Sequence, residues 1–185
     1  MQSDTWQAFN DHVMYEDALH VACVAQPQPL ADLELLALRE RNLSVLSTLA
    51  TFAERRSEPT DEDNPAAIEL QRLDSKLNVL MAMLDQLLRR NVELPPRHSV
   101  CFNAVGAVLP RVIWPEGSDF AVVHLHIDGC LALPLELPAR LLQERDKDHV
   151  FVAFETMDEV TRDALERLVF RHHRRKVAGR RLAAG

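Results

Sequence analysis

Residues 69–91, ELQRLDSKLNVLMAMLDQLLRRN, place leucine at Leu70, Leu73, Leu77, Leu80, Leu84 and Leu87 in 3-4-3-4-3 spacing. Three consecutive heptads therefore carry leucine at both the a and d positions. A helix over residues 65–91 would be about 40 Å long, and an apolar seam of that length is more than a monomer leaves in water. Each buried leucine contributes roughly 1.5–3 kcal/mol, so the seam favours a partner. The flanking e and g positions are Asp74, Met81 and Leu88, and Glu69, Lys76, Met83 and Arg90. Met81, Met83 and Leu88 widen the band beyond a two-stranded stripe, towards a bundle of more helices. Asn91 at the next a position either fixes register or ends the helix.

Upstream, residues 30–57 read as a second helix with two adjoining seams. Leu35, Leu38, Val45, Leu49 and Phe52 form one, interrupted by Asn42, and Leu36, Leu43, Leu46, Ala50 and Ala53 form the other. One face is expected against the chain's own leucine helix and the other against a neighbouring copy, as in a helical bundle. Residues 57–64 hold Pro59, Asp61, Glu62 and Asp63 and read as a hairpin loop. Asn64 before Pro65 then supplies an N-cap and a first-turn proline.

Around the hairpin the chain is 185 residues long, 47% hydrophobic, with a net charge of −7. It can bury a core as one α+β domain with an insertion, residues 1–29 and 96–185 forming the domain and 30–95 the inserted hairpin. No apolar run is long enough to span a membrane. No Lys or Arg precedes Arg39, so a signal peptide is not expected, and the location expected is cytoplasmic. Cys23, Cys101 and Cys130 are odd in number and widely spaced, which suits buried reduced thiols and neither a disulfide framework nor paired zinc ligands. Residues 1–70 carry 13 acidic and 4 basic side chains, and residues 156–185 carry 4 acidic and 8 basic. The overall acidity argues against nucleic acid as a partner. The tail cations Arg171, Arg174, Arg175, Lys176, Arg180 and Arg181 suit a helix C-terminus, or an anion, or the acidic N-terminal region.

Elsewhere the period changes. Residues 119–127 (DFAVVHLHI), 130–137 (CLALPLEL), 149–155 (HVFVAFE) and 100–109 (VCFNAVGAVL) are strand-like, punctuated by Gly117, Gly129, Pro134 and Pro138. His12–Val24 reads as one strand or two. This count implies a small barrel or closed sheet. Thr156 and Glu159 form a capping box for a last helix, whose apolar face is Val160, Ala164, Leu165, Leu168 and Val169.

The order of these elements resembles an atypical PilZ domain over about residues 97–181 and, more weakly, the N-terminal strands. The marks are a strand with a glycine turn (100–109), a strand pair ending in a Pro-Leu step (120–137), a phenylalanine strand (151–154), then a helix. The resemblance implies a six-stranded antiparallel β-barrel with a C-terminal helix. The inserted hairpin resembles the tetrameric PilZ subgroup, in which heptad helices gather four subunits into an intersubunit bundle.

That family binds cyclic di-GMP through arginines of an RxxxR segment and a [D/N]xSxxG turn. Guanidinium forks suit phosphates and guanine edges because they offer paired donors and a stacking plane. Here both motifs are degenerate. With Gly106 as the motif glycine, Cys101 stands at the acidic or amide position and Asn103 at the serine position. No arginine precedes Arg39, so binding in the usual mode is expected to be weak or absent. The alternative is a true receptor with a rearranged site built from Arg89, Arg90, Arg97 and Arg111 near the bundle–barrel junction.

Catalysis is not expected. His124 and His126 alternate along one strand face without a third metal ligand, His172 and His173 read as facing water, and there is no GxSxG elbow, phosphate loop or HExxH helix. No cofactor or metal is expected, and cyclic di-GMP is the one ligand the resemblance implies. The function read from the sequence is a bacterial, non-catalytic adaptor in cyclic di-GMP signalling. It would form a homo-oligomer, a tetramer, built on Leu35, Leu38, Leu49 and the six heptad leucines. Its protein partners, not identifiable from sequence, would lie in pilus, motility or virulence regulation.

Overall fold

In the computed structural model, residues 2–26, 30–54, 69, 72, 73, 75–77, 79, 80, 83, 87 and 93–183 are described. The elements run α1 (Gln2–Asp11), β1 (Tyr15–Ala25), α2 (Asp32–Glu54), β2 (Arg97–Phe102), β3 (Gly106–Pro110), a 3-10 turn (Arg111–Ile113), β4 (Phe120–His126), β5 (Leu135–Glu144), β6 (His149–Phe154) and α3 (Glu159–Ala183). The strands close into an antiparallel barrel in the order β1-β2-β3-β6-β5-β4. Alternation sends Leu19, Val21, Val100, Phe102, Leu109, Val123, Leu125, Leu135, Leu137, Val150 and Val152 inward, where all are buried.

Among the described residues, α1, α2 and α3 dress the barrel. Val45, Leu46 and Leu49 of α2 and Leu165, Leu168 and Val169 of α3 join the core. Across the outside, α1 lays Trp6 and Phe9 on Phe151 of β6, with ring centroids 4.9 and 5.1 Å from it. Arg145 caps the stack, 3.7 Å over the Trp6 ring. The sequence reading did not anticipate α1, because its apolar residues are few and gain their purpose only from the strand beneath.

Several sequence expectations are corrected here. The segment 100–109 is a hairpin of two strands rather than one, and His12–Val24 contributes a single strand from Tyr15. Cys130–Leu133 is a turn, entered through Gly129 at φ +105° and tied by the Cys130 N–H to the Ile127 carbonyl at 2.9 Å. The strand instead begins at Leu135 and continues through Pro138 to Glu144. Pro138 is tolerated because it sits where β5 meets the end of β6, and its carbonyl, on the same side as the missing N–H, accepts from Glu155 N at 2.8 Å. Asp158, not Thr156, caps α3. Its carboxylate accepts from the N–H groups of Val160 (3.0 Å) and Thr161 (3.2 Å) and from the Thr161 hydroxyl (2.6 Å). Val160 is 54% exposed, and Thr161 takes its place on the buried face.

The first seam of α2 is also placed differently. Leu38 and Leu49 are 5% and 6% exposed, buried within their own chain rather than turned to a neighbour, and Leu35 is half-buried beside β5 and α3. Ion pairs reinforce the docking: Arg41 reaches Glu136 at 2.6 Å and Arg39 reaches Asp158 at 3.4 Å. The exposed remainder of α2 carries Leu33 and Leu36, 81% and 51% exposed.

The loop 57–64, the Asn64–Pro65 cap, Leu70, Leu84, Arg89, Arg90 and Asn91 lie outside the described residues. Helical backbone is described at Leu73, Leu77, Leu80 and Leu87, whose side chains are 50%, 48%, 56% and 56% exposed. Among the described residues no helix is long and apolar enough to cross a membrane.

Candidate functional site

The residues read as a degenerate nucleotide motif are brought together on the β2–β3 hairpin, each in a structural role. Asn103 is 2% exposed. Its Oδ1 accepts from Val105 N (2.8 Å) and its Nδ2 donates to the Phe9 carbonyl (2.8 Å), so one amide both makes the turn and ties it to α1. Gly106 is required by proximity, since a Cβ there would lie 2.2 Å from the Val152 carbonyl oxygen. Cys101 is half-buried and its thiol donates to the Met14 thioether at 3.1 Å. Burial, with Glu16 adding to it and Lys176 opposing, pushes that thiol up to about 11, which makes it a poor nucleophile at neutral pH. Burial pushes Cys23 up to about 12. Cys23, Cys101 and Cys130 form no disulfide.

Of the arginines considered for a rearranged site, two are described, and both are occupied. Arg97 Nε donates to His20 Nε2 (3.1 Å), Nη1 to the Ala18 carbonyl (2.9 Å) and Nη2 to Asp128 (2.6 Å). Arg111 lies 3.5 Å from Glu144.

Beside Cys101 the barrel wall opens into a cavity of about 670 Å³ between β1, β2 and α3. Ser99, Cys101, Val108 and His149 are among the residues that line it. Glu16 and Asp17 also line it, together with His172, Arg175 and Lys176. Lys176 Nζ donates to both the Glu16 carbonyl and its carboxylate at 3.0 Å. His172 stacks on Tyr15 with centroids 3.6 Å apart, and Tyr15 stacks on Phe102 at 4.8 Å. His172 is therefore no water-facing residue. Burial lowers its pKa, the Glu16 carbonyl and Asp17 draw it back up, and Lys176 and Arg175 lower it further. Burial is also what chiefly raises the Tyr15 phenol, and Asp17 adds to it. Sequence reasoning did not single out Glu16, Asp17, His172 and Lys176 as a group. The available signal was the charge asymmetry, and the basic tail does meet the acidic N-terminal region here.

The two strand histidines differ in setting, His124 half-buried and His126 buried. His126 is 7% exposed with Nδ1 2.7 Å from the Leu131 carbonyl, and among the described residues no cluster of three or more His, Cys, Asp or Glu could hold a metal ion.

A family model described as "Atypical PilZ domain, cyclic di-GMP receptor" matches residues 46–182. Among solved structures, one from Xanthomonas campestris has a TM-score of 0.70 at 24% identity and covers 95% of this chain and 97% of its own. It is described as a pathogenic protein with a tetrameric PilZ domain self-assembled via an unusual helical bundle, and at this identity the likeness is one of fold. No curated protein matches the chain.

Proposed function

Because this chain belongs to the atypical PilZ domain family, we propose that it is a non-catalytic signalling adaptor that assembles copies of itself through its heptad helix and binds cyclic di-GMP weakly or not at all. One observation carries the proposal: Leu73, Leu77, Leu80 and Leu87 repeat at heptad spacing on helical backbone, each about half exposed in the single chain. Such a stripe is stable in water only when covered. Leu70 and Leu84 continue the same spacing. The tetrameric bundle of the Xanthomonas protein supports a count of four. In this reading residues 30–95 are an insertion into the barrel sequence 1–29 and 96–185. Leu35, Leu38 and Leu49 anchor it to the barrel, and the heptad leucines meet other copies. Gathering four barrels would turn weak contacts with protein partners, in processes such as pilus assembly, motility or virulence, into avid ones.

Weak nucleotide binding is supported by the employment of the motif residues in the turn and by the pairing of Arg97. The alternative, a receptor using Arg97 and Arg111 together with Arg89 and Arg90, draws support from the family description. Light scattering on the full chain tests assembly. The expected mass is four times that of one chain for wild type and a single chain for L77E/L80E, and a wild type that stays single at micromolar concentration overturns the proposal. Calorimetry tests the ligand. Micromolar or tighter binding of cyclic di-GMP that R97A/R111A abolishes would establish the receptor reading instead.

A further inference from the structure

The geometry points to Glu16 and Asp17 as specificity-determining residues, a built-in counter-anion that keeps phosphate-bearing ligands out of the cavity on the β1–β2 wall. This rests on the reading that the unaltered chain binds cyclic di-GMP weakly or not at all, and it supplies a cause for that weakness separate from the degenerate motif.

The cavity, about 670 Å³, has the volume for a nucleotide-sized ligand, and α3 brings Arg175, Lys176 and His172 to its rim. Those are donors suited to a phosphate, a guanidinium fork and an ammonium side by side. Yet Lys176 and His172 are already engaged by groups of the chain itself. The Glu16 carboxylate takes Lys176 at 3.0 Å, the Glu16 carbonyl takes Lys176 at 3.0 Å and faces His172 at 3.3 Å, and Asp17 Oδ2 stands 3.9 Å from His172 Nε2. A phosphate entering here would have to displace a tethered carboxylate and then sit within a few ångströms of two negative charges. The same arrangement without those carboxylates presents two full cations, two histidines and Ser99, beside Ala18, Val100 and Val108, to an anion. Exclusion of the wrong partner by like charge is a recurrent source of specificity.

The two carboxylate side chains are 59% and 51% exposed, so neutral isosteres leave the barrel core untouched. The test is calorimetry on the full chain with cyclic di-GMP and with inorganic pyrophosphate. It compares wild type, E16Q/D17N, the same pair combined with R175A/K176A, and D163N/E166Q, which removes equal charge from a different groove. The expected result is at least a tenfold gain in affinity for E16Q/D17N, steeply weakened by salt, lost in the fourfold variant and absent in D163N/E166Q. A gain for pyrophosphate alone still supports a phosphate site guarded by these carboxylates. No gain for either probe, a gain that survives R175A/K176A, or an equal gain in D163N/E166Q overturns the inference. Tight cyclic di-GMP binding by wild type sinks the weak-binding reading, whereas the ratio between E16Q/D17N and wild type judges the guard itself.

Discussion

Asn42 of α2 and Glu136 of β5 are joined by two backbone-directed hydrogen bonds: the Asn42 amide donates to the Glu136 carbonyl and accepts from the Glu136 N–H, both at 2.8 Å. On that side of β5 the pairing with β6 begins only at Ala139, so the side chain takes the place of a missing strand at a gap in the barrel wall. Asn42 is 4% exposed. Removing it leaves a donor and an acceptor without partners, at a cost of roughly 1–3 kcal/mol per buried group. N42A is expected to lower unfolding stability by about 2–4 kcal/mol in denaturant titration, and a loss under about 0.5 kcal/mol would show that water fills the gap at no cost.

Gly106 admits no side chain because β6 passes directly over it. With a Cβ set 2.2 Å from the Val152 carbonyl and 3.2 Å from the Phe151 ring, G106A must push β3 away from β6 or break the pairing of residues 106 and 153. Overpacking of this kind costs about 1–3 kcal/mol, and here the obstacle is backbone, which yields least. Thermal melts of G106A should show a clear fall, while A107G in the next position acts through a lost buried methyl group and the added backbone freedom of glycine.

The start of α3 separates a true cap from a residue that resembles one. D158A removes three hydrogen bonds and the Arg39 pair, and a loss of about 0.5–2 kcal/mol is expected, as for other N-caps. Thr156, a β-branched residue, sits at φ +55°, a conformation glycine adopts freely. T156G is therefore expected to be neutral or stabilising in the same denaturant titration, an outcome no capping threonine would give.

Stability should decline on mild acidification. Burial chiefly lowers His124, with Glu136 opposing and His126 and Arg41 adding, and burial likewise leads the lowering of His172. Both folded pKa values lie below the unfolded value near 6.5, so the unfolded chain binds more protons just below that pH. The contribution is complete above about pH 6.5 and is lost as pH falls towards the folded values. H124Q/H172Q should be flatter than wild type between pH 7 and 5 in urea titrations. An unchanged slope would mean that neither ring is held neutral by the fold.

Much of the architecture was legible from local pattern. Runs rich in Val, Leu and Phe announced β4 and β6, and the heptads announced their own exposed seam, because both signals are local. What the sequence hid depends on tertiary partners. Trp6 and Phe9 make a helix useful only when Phe151 lies beneath them, and Pro138 reads as a strand end unless one sees which edge its missing N–H faces. Asn42 read as a flaw in a helical seam, whereas it completes a strand. The cavity was hidden for the same reason. Its acids and its bases are separated by some 160 residues, as in the Lys176–Glu16 pair, and no motif spans that interval.

Strands that run in a ring present no ragged border to solvent. Crowding several such units onto one stalk would otherwise invite strand-to-strand adhesion and runaway fibre growth, since unpaired borders template each other. With β4 sealed to β1, a cluster of such heads gathered as proposed would stay finite, and any contact between them would be made by side chains, one surface at a time.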